Sequence, residues 1–470
     1  MKQNNKIIYL ISHGHTARGA FQTNLISRLS EQGFEMVVIA KKDEDGSLAK
    51  LVEKQNASID FYDPKNSLAD TQRTIFRAFV HQNIKKNPAL WEKHQRRTRG
   101  QKATLKRRLL NRLYFFAGNL IRLAPPLKWI YNLVEKRLYL KPDAISLLKK
   151  HNPVTVISTR PVDNMEAEIL CAATKLNIHK TMYILSWDNI TAKGIFPVLA
   201  DSYLTWGPIM NEELKAYYKT PEERIHTTGV THFDVHAQVK NGTVGMGKVI
   251  TDLELQPANP YLFFTMSASY FAPNEIDIIE WLAAQIEKDR FGKKMQLIIR
   301  PHMANFLERT SDVSWIDRLK KLKSKRVAID FPIINNDLLT WYMDEDDMVK
   351  LSRLIKGSTI CINSGSTISI EALAFDKPVI LTTFDTEKWP EWRSAKRVID
   401  YLHLKKLIDF NALMVAESLT DLATKIDLFL ENPSLQQRER TIAIKEECFK
   451  IDGQSTERFV RHMQALIHKN

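Results

Sequence analysis

The chain has 470 residues, 44% hydrophobic and 26% charged, with a formal net charge of +14 at pH 7. This length points to two or three domains with more than one large core, and the composition is that of a soluble globular protein. No apolar run approaches the roughly 18 residues of a spanning helix, and Cys171, Cys361 and Cys448 lie too far apart for a ligand or redox motif, which fits a reducing compartment.

The first unit, KIIYLISHGHTARGAFQTNLISRLSEQGFEMVVIAK, reads as strand, loop, helix and strand. Lys6 to Ile11 is an apolar strand, too short for a signal-peptide core, so a cytoplasmic location is expected. Residues 12–19 read as a polar loop. Leu25, Ile26 and Leu29 give the next helix its apolar stripe, Gly33 ends it, and Met36 to Ala40 is the second strand. Two strands joined by a helix predict a parallel, right-handed crossover. A histidine at a strand end is placed for general-base work, and both His13 and His15 qualify. Either also suits the plainer role of orienting the loop.

Residues 93–141 hold fourteen Lys/Arg and one acid, Glu135, so this segment carries nearly the whole net charge. Within it, LKRRLLNRLYFFAGNLIRLAPPLKWIYNLVEKRLYL mixes basic with apolar and aromatic residues. Leu109, Leu113, Phe116 and Leu120 recur at helical spacing, with Arg108, Arg112 and Arg122 near the opposite side, and Pro125-Pro126 separates a second amphipathic stretch. Such a helix suits an anionic membrane interface, with Arg107, Arg108, Arg112 and Trp129 as contacts. The alternative is a helix packed on the protein with its basic edge in water. No nucleic-acid module accompanies the charge, so nucleic acid is not an expected partner.

Alternation resumes with strands at 154–158, 181–185, 203–206 and 225–229, and helices at about 163–176 and 208–218. The peptide after the second of these strands carries Trp187, Asp188 and Asn189, suited to sugar hydroxyls and an apolar sugar face, or equally to an Asp/Asn turn with a packed Trp. Residues 237–258 are the best linker candidate. A second series follows, with strands at 261–266, 295–300, 327–331, 358–362 and 378–382 and a helical tail from about 418. The expected fold is therefore α/β: two doubly wound Rossmann-like domains facing a cleft. Their limits are 1–240, with the basic helical insertion at 93–141, a linker at 241–258, a second domain at 259–417 and a tail at 418–470.

Polar residues collect at the strand ends of the second series: Ser267, then Arg300 and His302 in LIIRPH, then Ser364, Ser366 and Thr367 with Glu371 beyond. A small-residue turn opening a helix lets N–H groups and hydroxyls approach an anion, and Arg300 offers a forked donor for a diphosphate. Glu371 is placed to accept from ribose hydroxyls. The acidic runs 43–45 and 344–347 read as solvated surface. No His/Cys grouping has metal-ligand spacing. Neither G-x-G-x-x-G after the first strand nor a phosphate-loop Lys motif occurs, which argues against an oxidoreductase or a nucleotide triphosphatase.

In their order, SHGHTARG, SWDNITAKG, RIHTTGVTHFD, RPH, NSGSTISIEALAFDKPVI and DGQSTERFV resemble bacterial GT-B-fold glycosyltransferases of surface-polysaccharide biosynthesis. The kinship is with capsule, teichoic-acid and lipopolysaccharide enzymes, including the CDP-glycerol glycerophosphotransferase-like group. The resemblance spans both halves but not the basic insertion. It implies a nucleotide-activated donor on the second domain, held by Ser267, Arg300, His302, Ser364, Ser366, Thr367 and Glu371. It implies an acceptor, a glycan or lipid-linked glycan, on the first domain, with His13 or His15 supplying the base; the reading of the residues adds Asp188 to the catalytic set and Trp187 and Asn189 as acceptor contacts. Retaining members often carry two glutamates eight positions apart; here the position eight before Glu371 is Asn363. An inverting transferase with no cofactor and no metal is therefore expected, and the basic segment adds the expectation of a peripheral location on the inner face of the cytoplasmic membrane. A sugar-nucleotide epimerase of similar fold and a non-catalytic scaffold are the alternatives.

Overall fold

The computed structural model describes residues 5–65, 68–100, 104–306, 315–333, 339 and 342–468. Short apolar runs that are buried on both faces form parallel sheets, because each strand must be covered by helices on either side. The first sheet holds β1 (Lys6–Ile11), β2 (Glu35–Ala40), β3 (Ser58–Phe61), β4 (Thr155–Ser158), β5 (His179–Tyr183), β6 (Ser202–Thr205) and β7 (Ile225–Thr227) in the order β3-β2-β1-β4-β5-β6-β7. The second holds β8 (Tyr261–Thr265), β9 (Gln296–Arg300), β10 (Val327–Ile329), β11 (Ile360–Asn363), β12 (Val379–Leu381) and β13 (Met414–Val415), ordered β10-β9-β8-β11-β12-β13. All the pairings are parallel.

In each sheet the winding reverses once, between β1 and β4 and between β8 and β11. Loops leaving the carboxyl ends there turn to opposite faces and open a crevice. The two crevices meet at the cleft described below.

Several elements differ from the sequence expectation. The polar stretch after β1 is not a loop but a helix, Gly14–Phe21, because His13 caps it: the His13 ring accepts from the His15 N–H at 2.9 Å, and Thr16 closes the box on the His13 backbone. β5 begins two residues earlier than expected, its pairing with β4 starting at Thr155 and His179. The linker candidate contains the end of one helix, Asp234–Lys240, and a helical turn, Val249–Asp252. The acidic run at 344–347 is not simply solvated: Asp344 caps the Glu345–Gly357 helix, and Asp347 is buried.

The last helix, Ser455–His468, returns to the first sheet. Phe459, Val460 and Met463 pack with Ile7 and Tyr9 of β1. The carboxylate of Asp234 accepts from the N–H groups of Ser455 (2.9 Å) and Thr456 (2.8 Å), so the THFD and DGQST segments are joined as a helix cap.

The basic segment forms a hairpin of two helices, Leu105–Leu123 and Pro125–Tyr139, with Pro125 and Pro126 in the first turn of the second. It packs on the Leu68–His81 and Pro88–Arg99 helices. Gly118 lets the backbones close: a Cβ there would lie 2.5 Å from the Phe79 Cβ. Glu135, the lone acid, is buried against Arg77 and accepts from the Tyr131 hydroxyl at 2.8 Å.

Candidate active site in the interdomain cleft

On the first domain, the loops leaving β1 and β4 are pinned by one buried carboxylate. Glu166 accepts from Ser12 Oγ (2.7 Å), Ser158 Oγ (2.6 Å), and the N–H groups of Thr159 (3.1 Å) and Arg160 (2.7 Å). The sequence gives little sign of this role, since Glu166 sits in the first turn of its helix, where an acidic residue is ordinary. With the loops fixed, His13, His15 and Arg160 line the cleft. Because His13 Nδ1 accepts a hydrogen bond, the proton of its neutral ring sits on Nε2, and His13 presents a donor. Burial, helped by Arg160 and Lys41, lowers its pKa to about 2, so the ring stays neutral. With Nδ1 engaged and Nε2 protonated, no ring nitrogen of His13 is open to take a proton, which argues against it as the base. His15, one step along the helix, is also kept neutral by burial and by Arg18.

Arg18 lies on the same helical face, one turn beyond His15. Among the described residues its guanidinium makes no ion pair; it contacts the sulfurs of Met343 and Met348 at 3.8 and 3.9 Å, and its Nε is buried without a hydrogen-bond partner. Burial lowers its pKa, opposed by the nearby carboxylates of Glu371 and Asp347. Sequence reasoning missed this residue, although the three-residue step from His15 was there to read.

On the second domain, the turn after β11 differs from expectation. The Asn363 side-chain oxygen accepts from the N–H groups of Gly365 (2.8 Å) and Ser366 (3.1 Å) and from Ser369 Oγ (3.0 Å). Those two N–H groups are therefore engaged within the turn, whose residues Ser364 to Thr367 line the cleft. Gly365 takes φ +88° with Leu404 closely packed against it, a conformation only glycine adopts freely. Ser364 turns inward and pairs with the Thr382 hydroxyl at 3.0 Å. Ser267 donates its N–H to Glu275 at 2.8 Å, while its buried hydroxyl has no hydrogen-bond partner.

Arg300 requires a correction. Its fork is taken by Asp330 and by both oxygens of Asp347 (2.8 and 2.7 Å), all buried, so it is not an open donor for a diphosphate. His302 is better suited: its Nδ1 accepts from the Ala304 N–H at 3.1 Å, leaving the proton on Nε2, and burial lowers its pKa to about 4. Glu371 is buried 3.2 Å from His236 Nε2, a close approach rather than an aligned hydrogen bond. His236 Nδ1 in turn meets Ser352 Oγ at 2.7 Å. Burial alone would raise the Glu371 pKa, but His236, Arg18 and Arg300 outweigh it and keep the carboxylate charged.

Trp187, Asp188 and Asn189 line the opposite wall. Asp188 pairs with Lys193 at 2.7 Å; burial opposes its charge, but Lys193 and His403 hold its pKa below the usual carboxylate range. Trp187 is buried edge-on to His403 of the second domain, with ring centroids 4.8 Å apart. Arg96 reaches over the Tyr270 ring at 5.2 Å.

These walls enclose a cleft of about 760 Å3. An adjoining pocket of about 190 Å3 holds Arg18, His232, Arg300 and Glu371, and His15, His302, Ser366 and Thr367 border both. The expected residues of the two domains therefore converge, except the four on the basic hairpin, which stand apart from the cleft. Among the described residues no cluster of three His, Cys, Asp or Glu side chains could hold a metal ion.

No protein-family model matches the chain, and no curated protein matches it in sequence. Solved structures do resemble it along its length. S. aureus MnaA, solved with UDP, is 12% identical, with 99% of this chain and 97% of that one covered at a TM-score of 0.56. The UDP-GlcNAc 2-epimerase from Neisseria meningitidis, bound to UDP-GlcNAc, is 12% identical over 98% of this chain and 100% of that one, at a TM-score of 0.56. A glycosyltransferase from Rickettsia africae is 13% identical over 98% and 99%, at a TM-score of 0.50. At such identity the likeness establishes the fold: two parallel-sheet α/β domains arranged as in GT-B proteins.

Proposed function

We propose that the chain is a glycosyltransferase that moves a sugar, or a polyol phosphate, from a nucleotide-activated donor to a hydroxyl acceptor in surface-polysaccharide assembly. The observation that carries this reading is Arg18. A guanidinium that makes no ion pair among the described residues, beside His302, Ser366 and Thr367 at the strand ends, calls for an anion of the donor. His302 Nε2–H and the two hydroxyls add neutral donors to the same place.

In the reaction the acceptor oxygen attacks the activated carbon of a sugar, or the phosphorus of a polyol phosphate. Its proton passes to a ring nitrogen of His15. The bond from that centre to the bridging phosphate oxygen breaks, and the nucleotide leaves with the electron pair as a diphosphate or monophosphate, respectively. Arg18 is the group in reach that stabilises this charge as it develops. Asp188, held ionised by Lys193, and Asn189 offer acceptors for hydroxyls of the incoming glycan. The scheme uses no metal ion.

A second reading is a sugar-nucleotide epimerase, favoured by the name of the Neisseria structure and the ligand bound in it. Uridine-nucleotide sugars are accordingly the first donors to test. Incubation with and without glycan acceptors, followed by NMR, separates the two. Product formed only with acceptor supports transfer; an altered free nucleotide sugar without acceptor supports epimerisation; neither, across uridine and cytidine donors, leaves a scaffold.

A further inference from the structure

The basic hairpin packs by one face and leaves the other bare. On the first helix Asn111 and Gly118 are buried against the neighbouring helices, and Phe115 stacks on His94 with ring centroids 5.2 Å apart. The opposite stripe consists of Leu105, Leu109, Leu113, Phe116, Leu120 and Leu123, all exposed, Leu105 at 73% and Phe116 at 72%. The second helix exposes Leu127, Ile130, Val134 and Leu138 along one row, with Leu133 and Trp129, at 64%, further round its exposed side. Of twenty exposed large hydrophobic side chains among the described residues, twelve lie on these two helices. A helix merely packed on the protein with a basic edge in water does not carry such a face.

The charge around the stripe identifies its occupant. At about 100° per residue, Lys106 and Arg112 lie about 60° to either side of the stripe rather than opposite it, where long stems reach from an apolar surface to anionic groups. The only acid of the two helices, Glu135, is buried against Arg77. Two copies of this chain meeting by the face would bring like charges together. We infer that the hairpin lies in the interface of an anionic phospholipid bilayer, its apolar stripe among the acyl chains and its Lys/Arg among the headgroups.

The consequence for the reaction rests on the transfer reading. The Pro88–Arg99 helix supports the hairpin through His94 and walls the cleft through Lys93 and Arg96. A lipid-carried acceptor held at the bilayer surface is thus brought to the helix that borders the active site.

The test is co-sedimentation of the full chain with phosphatidylcholine vesicles containing graded phosphatidylglycerol, at low and moderate salt. Two triple variants accompany it: Leu113→Ser/Phe116→Ser/Leu120→Ser and Lys106→Glu/Arg108→Glu/Arg112→Glu. Binding should rise with phosphatidylglycerol, fall with salt, and drop at least about tenfold in each variant, while nucleotide affinity in solution is unchanged. Binding that ignores lipid charge or survives either variant overturns the inference. So does a wild-type dimer, seen by light scattering, that the Ser variant dissociates and that does not bind vesicles. Nucleotide titration is read separately, so failure of the membrane contact and failure of the transfer reading are distinguishable.

Discussion

Arg18 and Arg300 illustrate how burial and pairing assign opposite roles to the same side chain. Arg300 follows a buried strand and looks like an anion ligand in sequence, but Asp330 and Asp347 consume its fork. Arg300→Ala would leave Asp347 buried without its ionic partner and Asp330 with Lys350 alone, at a cost of about 3–5 kcal/mol in stability, measured by denaturant unfolding. A folded variant of native stability that only loses nucleotide affinity would return Arg300 to the ligand site. Glu275 gives a pH signature. Burial raises its pKa from 4.5 to about 8, against opposing bonds from Ser364 and Ser267. Between those values the folded state keeps a proton that the unfolded state has released. Stability therefore declines as pH rises through this window, by at most about 1.4 kcal/mol per pH unit. Glu275→Gln removes that slope, so its stability relative to wild type should improve from pH 5 to pH 8 and level off above. A constant difference across that range would contradict the buried neutral carboxyl.

At the scale of elements, the strands at the centres of both sheets were legible because each is an uninterrupted apolar run ending in polar residues. β3 and β13 were not, since an edge strand reading SIDF is only half-buried and a two-residue strand has no pattern to read. The Gly14–Phe21 helix escaped because its cap is a histidine, whose ring stands in for the usual Ser or Asp. The small-residue turn after β11 was legible, but not that Asn363 occupies its N–H groups, because a side chain bonding two and three residues ahead leaves no periodic trace. Amphipathy of the hairpin was visible in sequence; which face is bare was not, since that depends on Gly118 docking against Phe79. Gly118→Val should therefore lower stability by about 1–3 kcal/mol in denaturant unfolding, because the added atoms meet the Phe79 backbone and Cβ. A neutral effect would mean the hairpin does not seat there.

At the scale of the molecule, the cleft exists because two sheets reverse their winding at facing edges, and the Ser455–His468 helix returns from the end of the chain to the first sheet. The fold was readable from alternation alone. The convergence of Arg18 with His302, Ser366 and Thr367 was not, because it joins residues from different domains across the cleft. That convergence is the centre of the account, and calorimetric titration of UDP and CDP into wild type and Arg18→Ala tests it most directly. The account predicts saturable binding of at least one nucleotide to wild type, weakened about 10- to 150-fold in a variant of unchanged melting temperature, the scale of a lost hydrogen bond to a charged group. Binding of equal strength to both proteins, or no binding of either nucleotide to wild type, would contradict it.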